Sequence, residues 1–262
     1  MHARALLAAG LLLSTPALAR DPKIVIDAGH GGSQVGALSP TGYEEKALSL
    51  SLAKKVGALL SKGLHADVVL TREDDILLPL QDRVDIANKR KPDLFLSIHA
   101  NSMPTTKARR DVHGIETFFL SANASTEVAR STAARENAER AHALAGPGGD
   151  TLAFILSDLQ RSEAHVDSSR LAYAIHQSVV AGTGGLDRGV QQAPFYVLAG
   201  VEAPAVLLEV GFISHPEESR KLQEAAYQDK LAQAVAEGIR RFLDEVERRD
   251  AKSAPAAAAS PR

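Results

Sequence analysis

The sequence predicts a single α/β domain with a mostly parallel sheet flanked by helices, and three observations carry that reading. Short β-branched apolar runs alternate with longer stretches of helical periodicity through the first hundred residues. Glycine or proline punctuates the junctions. At 262 residues, 45% of them hydrophobic and 24% charged, the chain can also bury one sizeable core. Alternating strands and helices favour parallel pairing, because parallel strands need a crossover long enough to hold a helix.

Lys23-Ile24-Val25-Ile26-Asp27 reads as a buried strand ending at Gly29, and Gly31, Gly32, Gly36 and Gly42 mark the loop after it. Thr41-Gly42-Tyr43-Glu44 fits a capping box, with Thr41 as the N-cap and Glu44 reaching back to it. The helix that follows runs about five turns, with Leu48, Leu52, Val56 and Leu59 at helical spacing and Gly63 as its stop. Ala66–Thr71 is a second strand, Asp82–Arg90 a helix closed by Pro92, and Leu94–His99 a third strand. Further strands are expected at Gly114–Leu120, Phe195–Leu198 and Ala205–Val210. The stretch from Ser125 to about Gly182 reads as helical with a break at Gly146-Pro147-Gly148-Gly149, and Ser214–Arg249 supplies two closing helices. Residues 250–262 hold too few large apolar groups to pack and are expected to be a disordered tail.

The first residues carry an address. Met1-His2-Ala3-Arg4 is a short basic start, Ala5–Leu13 an apolar run, and Ala17-Leu18-Ala19 a small-x-small cleavage pattern. The run is shorter than a bilayer-spanning helix requires. The expectation is a signal peptide over 1–19 cleaved after Ala19, a catalytic domain over 20–249, and export to the periplasm. No later segment resembles a membrane span. A formal charge of -2 with both signs interspersed gives no footprint for nucleic acid. The chain has no Cys, which excludes disulfides, thiol nucleophiles and Cys-ligated metal.

Polar residues at strand ends then narrow the chemistry. His30 follows the first strand, His99 ends the third, and Glu209 lies inside the otherwise apolar Val206-Leu207-Leu208-Glu209-Val210. Ligand sites in open α/β sheets gather at the carboxyl ends of strands. Glu45, in the first turn of the first helix, can look back over the glycine loop; alternatively it is an acidic residue favoured by the helix dipole. Two His and one carboxylate with a fourth position open to water form a catalytic zinc arrangement, and Glu209 is the candidate to carry the proton. The remaining His residues read as surface or satisfied core groups. Neither His-Glu-x-x-His nor Gly-x-Ser-x-Gly occurs.

Ile26-Asp27-Ala28-Gly29-His30-Gly31-Gly32, Glu45-Lys46, Leu70-Thr71-Arg72, Ser97-Ile98-His99-Ala100-Asn101, Arg188-Gly189-Val190 and Glu209-Val210-Gly211-Phe212-Ile213-Ser214 occur in this order. Together they closely resemble the zinc-dependent N-acetylmuramoyl-L-alanine amidases of the amidase-3 type, from about Lys23 to Phe242. The resemblance implies a six-stranded, zinc carboxypeptidase-like fold, with Zn2+ on His30, Glu45 and His99 and a catalytic carboxylate at Glu209. The implied reaction is hydrolysis of the amide joining N-acetylmuramic acid to L-alanine in peptidoglycan. His215 departs from the family's usual Asn and reads as a loop variation outside the metal shell. The stretch 126–167 is similar to the helical insert of cell-division amidases. There Glu136 is a candidate regulatory metal ligand, to be displaced by a protein activator, or else a solvated helix residue. Asn101 and Arg72 are candidate substrate-binding groups, although Arg72 equally suits a structural ion pair. The alternatives are a zinc carboxypeptidase or peptide amidase on the same fold, and a non-catalytic cell-wall-binding protein.

Overall fold

The computed structural model describes residues 20–138 and 163–253. The expected leader at 1–19, the break expected at Gly146–Gly149, much of the expected insert and the tail from 254 lie outside the described residues. Six strands form one sheet in the order β2-β1-β3-β6-β4-β5. They are β1 (Lys23–Ala28), β2 (Asp67–Leu70), β3 (Leu94–Asn101), β4 (Ile115–Leu120), β5 (Asp187–Ala193) and β6 (Ala205–Phe212). Every adjacent pair is parallel except β4 with β6. The helices are α1 (Glu45–Leu64), α2 (Leu80–Arg90), α3 (Thr106–Asp111), α4 (Glu127–Glu136), α5 (Glu163–Thr183), α6 (Pro216–Gln223) and α7 (Ala225–Ser253).

The period-2 alternation of strand side chains divides the core into two layers. Ile24, Ile26, Leu96, Ile98, Val206 and Leu208 face one way and pack with α1, α5 and α7. Val25, Phe95, Phe118 and Leu207 face the other way, toward α2 and α4, whose Val84, Ala129 and Ala133 complete that layer. Strands β1, β3 and β6 are covered on both faces, which is why they read as continuous apolar runs.

Several boundaries differ from the sequence reading, each for a physical reason. The fifth strand is Asp187–Ala193, not Phe195–Leu198. As an edge strand it is half-exposed and polar. Phe195–Leu198 is apolar because it is a buried turn, closed by Leu198 N donating to Phe195 O at 3.2 Å. No capping box forms: Ser39 Oγ instead accepts from the backbone N–H of Thr41 and Tyr43. Glu44 is the N-cap without a side-chain cap bond, so Glu45 is the first helical residue. On α1 the buried position is Leu60 rather than Leu59, and the helix stops at His65, whose left-handed backbone donates to Leu60 O. Helix α3 buries none of its residues, so it left no periodicity to read. Helix α7 continues to Ser253, past the expected boundary at Asp250.

One buried ion pair fixes the strand ends beneath the site. Asp27 accepts from Thr71 Oγ1 at 2.6 Å, Arg83 Nη1 at 2.8 Å and Ser97 Oγ at 2.7 Å. Arg83 also donates to Ala28 O at 2.7 Å and His30 O at 2.7 Å, tying α2 to the β1 terminus. Burial works to raise the Asp27 carboxyl, but the Arg83 guanidinium and the three hydrogen bonds outweigh it and hold the group below its ordinary range. The depressed carboxyl contributes stability above about pH 4, lost as pH falls through its lower folded value. Asp27→Ala should cost about 3–5 kcal/mol, because it strands a buried guanidinium. Urea unfolding at pH 7 checks this, and a loss under about 1 kcal/mol would contradict it.

Candidate metal centre and active-site crevice

The carboxyl ends of β1 and β3, the start of α1 and the end of α4 converge on one point. His30 leaves β1 with φ +61°, a left-handed conformation uncommon for a residue with a side chain and one that turns its imidazole inward. Glu45 Oε1 lies 3.1 Å from His30 Nε2 and 3.0 Å from His99 Nδ1. The carboxylate is anchored by two backbone donors, Ala100 N to Oε1 at 3.0 Å and Ala37 N to Oε2 at 2.8 Å. From the other side, Glu136 Oε2 lies 3.2 Å from His30 Nε2 and 3.0 Å from His99 Nδ1.

These four residues are all buried, and one donor atom from each lies within 4.8 Å of the others. The donor set and its spacing fit a divalent metal. A tetrahedral ion with bonds of ~2.0–2.1 Å separates its ligand atoms by roughly 3.3 Å, close to the imidazole–carboxylate distances here. Imidazole with carboxylate, and no thiolate, is a zinc-competent set. The local electrostatics agree. Burial opposes a charged imidazole, yet the adjoining Glu136 and Glu45 push His99 up to about 10. Against the cost of its own burial, Glu45 is held down at about 2 by the histidines. Two carboxylates facing two imidazoles in a closed space favour a cation among them.

Close approach depends on glycine. A Cβ on Gly29 would sit 2.4 Å from the His99 ring, and one on Gly36 would sit 2.6 Å from both Glu45 Oε2 and His30 Cδ2. Lys46 braces the same loop, donating to Gly32 O and Asp75 at 2.8 Å each. Arg72 is 2% exposed, and its guanidinium donates to Ala28 O, Gly29 O, Lys46 O and Ser49 Oγ. These bonds make it a brace between the end of β1, the glycine loop and the start of α1.

Glu209 pairs in register with His99 across β3–β6, and with Glu116 across β4–β6. All three side chains therefore stand in one row on the same face of the sheet. Neither Glu209 oxygen has a hydrogen-bond partner among the described residues, and Arg135 Nη2 approaches Oε1 at 3.7 Å. Burial and then the nearby Glu136 charge push this carboxyl well above its ordinary range, with Arg135 and His99 opposing them. A buried carboxyl so poorly satisfied is costly, and its place beside the donor cluster suits proton transfer.

Residues 24–241 match the Amidase_3 family model, N-acetylmuramoyl-L-alanine amidase. This chain belongs to the N-acetylmuramoyl-L-alanine amidase family. Among its relatives is amidase AmiA of Escherichia coli (strain K12), 38% identical over 221 residues, spanning 82% of this chain and 74% of the relative. A solved N-acetylmuramoyl-L-alanine amidase from Clostridium difficile 630 superposes with a TM-score of 0.66 at 29% identity, over 86% of this chain and 97% of that one. The catalytic domain of CwlV, an amidase from Bacillus (Paenibacillus) polymyxa var. colistinus, gives 0.65 at 31% identity, over 85% and 98%. The single α/β domain with its mostly parallel six-stranded sheet is thus the fold of this amidase family.

Sequence reasoning missed two members of the amidase crevice. Glu116 is wholly buried in Ile115-Glu116-Thr117-Phe118, and a charge inside an apolar strand was the same signal that pointed to Glu209. Arg135 had no such signal. It lies beside Glu136 on α4, donating to Glu136 Oε1 at 2.9 Å and Asn101 Oδ1 at 2.9 Å. Of the histidines set aside, His215 caps α6, and His176 bridges Thr117 and Asp187.

If the glycine loop sets the cluster, Gly36→Ala should weaken binding of a divalent metal by about 10–100-fold. Competition with a chromogenic chelator measures it, and parent-like affinity would count against the close packing described.

Proposed function

We propose that this peptidoglycan amidase holds one zinc ion on His30, Glu45 and His99, uses Glu209 as its proton carrier, and is held closed by Glu136. The convergence of four buried donor atoms within 4.8 Å is the observation that carries the reading. When bound, the ion supplies Lewis acidity, polarising a carbonyl oxygen and making water a nucleophile at neutral pH.

The chain's own groups do the remainder. His30 through Nε2 and His99 through Nδ1 present lone pairs, and Glu45 is pinned by Ala37 N and Ala100 N so that its oxygen stays between them. Water adds to the lactyl carbonyl carbon as its proton passes to the Glu209 carboxylate. The same proton then goes to the alanine nitrogen as the C–N bond breaks, leaving a free L-alanine amine and a lactyl carboxylic acid that gives up its remaining proton to solvent. Complete burial of Glu209 favours a carboxyl that can both accept and return that proton.

Glu136 supports an autoinhibited resting state. Beside it, His30, His99, Asp27, Arg83 and Leu80 line a cavity of only 10 Å³, about one water's worth. A peptide cannot reach His30 and His99 while α4 lies there, so a protein activator that withdraws this helix fits the geometry. Export to the periplasm after cleavage at Ala19 belongs to the same reading. Among the described residues, no helix is long and apolar enough to cross a membrane.

Metal analysis and product analysis test the proposal together. His30→Ala and His99→Ala should lose both zinc and turnover. Glu209→Ala should keep about one zinc per chain while losing about 10²–10⁴-fold in kcat. Mass spectrometry of digested sacculi should show free stem peptides beginning with L-alanine, and cuts within the stem would instead indicate a carboxypeptidase. Loss of zinc from the Glu209 variant would mean the roles are misassigned. Glu136→Ala should raise basal hydrolysis of purified sacculi at least about tenfold, a differential of ~1.4 kcal/mol; unchanged hydrolysis would remove Glu136 as the block.

A further inference from the structure

Behind the catalytic row lies a chain of buried polar groups that the proposed mechanism leaves unused. Glu116, 0% exposed, accepts from Asn101 Nδ2 at 2.7 Å through Oε2. Its Oε1 accepts from Arg188 Nε at 3.0 Å and Gln191 Nε2 at 3.3 Å. Such a carboxylate can only accept, so it dictates which way the Asn101 amide points. Ser102 N reinforces the choice by donating to Asn101 Oδ1 at 2.7 Å. The carbonyl oxygen of Asn101 is therefore presented to Arg135, while its amide nitrogen is committed to Glu116 and, at 3.3 Å, to Thr132 Oγ1.

Beyond Ser102, the groups on that oxygen come from α4. Arg135 Nη2 donates to it at 2.9 Å, and Thr132 Oγ1 stands at 3.5 Å. The same Nη2 lies 3.7 Å from Glu209 Oε1. A hydrogen-bearing nitrogen thus sits between an acceptor fixed on β3 and the proton-carrying carboxylate on β6. The nitrogen of a scissile amide needs that position: its lone pair must meet the proton from Glu209, and its N–H needs an acceptor elsewhere.

We propose that Asn101 Oδ1 accepts the N–H of the scissile amide, and that Glu116, held by Arg188 and Gln191, is the positioning residue that turns Asn101 to this task. Arg135 occupies the nitrogen's place in the resting chain. The inference rests on the readings of Glu209 as proton carrier and of α4 as displaceable. Holding the N–H fixes rotation about the breaking C–N bond, so the nitrogen lone pair develops toward Glu209 as the bond lengthens. The contact strengthens on the way to the transition state and should appear in kcat more than in KM.

The test deletes the hydrogen bond from either side. A soluble muramoyl-peptide is compared with an analogue carrying an ester oxygen in place of the scissile N–H. Both are assayed in full-length chain, using whichever of the parent and Glu136→Ala turns the amide over faster. Asn101→Ala should lower kcat on the amide by about 30-fold or more and on the ester by less than about threefold, with zinc content unchanged. Glu116→Ala should show the same preference in weaker form. Asn101→Asp alone sets two carboxylates against each other and should be at least as damaging. Asn101→Asp combined with Glu116→Gln restores a donor facing an acceptor, leaves an oxygen toward the crevice, and should recover to within about tenfold of the background. Equal losses on amide and ester, or a double variant no better than Asn101→Asp, would overturn the proposal. Failure of the underlying readings looks different: an unmodified background that cleaves neither substrate, or that holds no zinc.

Discussion

The Glu45 carboxylate ties the structure to its chemistry. One oxygen is shared by His30, His99 and the Ala100 backbone N–H, while the other takes the Ala37 N–H. A single side chain thereby joins the start of α1, the glycine loop and the end of β3. Burial of a lone carboxylate would cost several kcal/mol, and the two backbone donors and two imidazoles offset that cost. The bare Cα of Gly36 makes room for this carboxylate, because a methyl group there would sit 2.6 Å from Glu45 Oε2.

Sheet topology arranges everything else relative to that point. Parallel β1, β3 and β6 bring three carboxyl ends to one edge, and the reversed β4 places Glu116 directly opposite Glu209. The face that carries this polar row is the one covered by α2 and α4, so the helix that shields the site also completes a hydrophobic layer. Ala129 and Ala133 bury small side chains, whereas Glu136 and Arg135 at the helix end make polar contacts. Small apolar contacts are individually weak. In the reading proposed above, opening α4 depends mainly on replacing its polar contacts, which a substrate amide is chemically suited to do at Asn101 and Glu209.

Much of this was legible in the sequence because the strand-end rule is strong. His30 and His99 follow apolar β-branched runs, and Glu209 interrupts one. Glu45 was readable through its distance from the glycine loop, although the helix start it occupies arose without the anticipated capping box. What escaped notice was polar in the wrong place or apolar for the wrong reason. Edge strand β5 hides in Asp187–Ala193 because an edge needs little hydrophobic surface, while Phe195–Leu198 imitates a strand by burying a turn. Glu116 was available to the reasoning that found Glu209. Arg72 could not be settled from its neighbours in sequence, since its partners lie on β1 and α1.

Zinc K-edge X-ray absorption on the purified, full-length chain probes the central arrangement most directly. The expected spectrum is a four-coordinate ion with two imidazole nitrogens at ~2.0 Å and carboxylate oxygens for the rest. One oxygen should be replaced by water in Glu136→Ala. An ion with a single imidazole, or zinc bound only at the level of adventitious surface metal, would contradict the account.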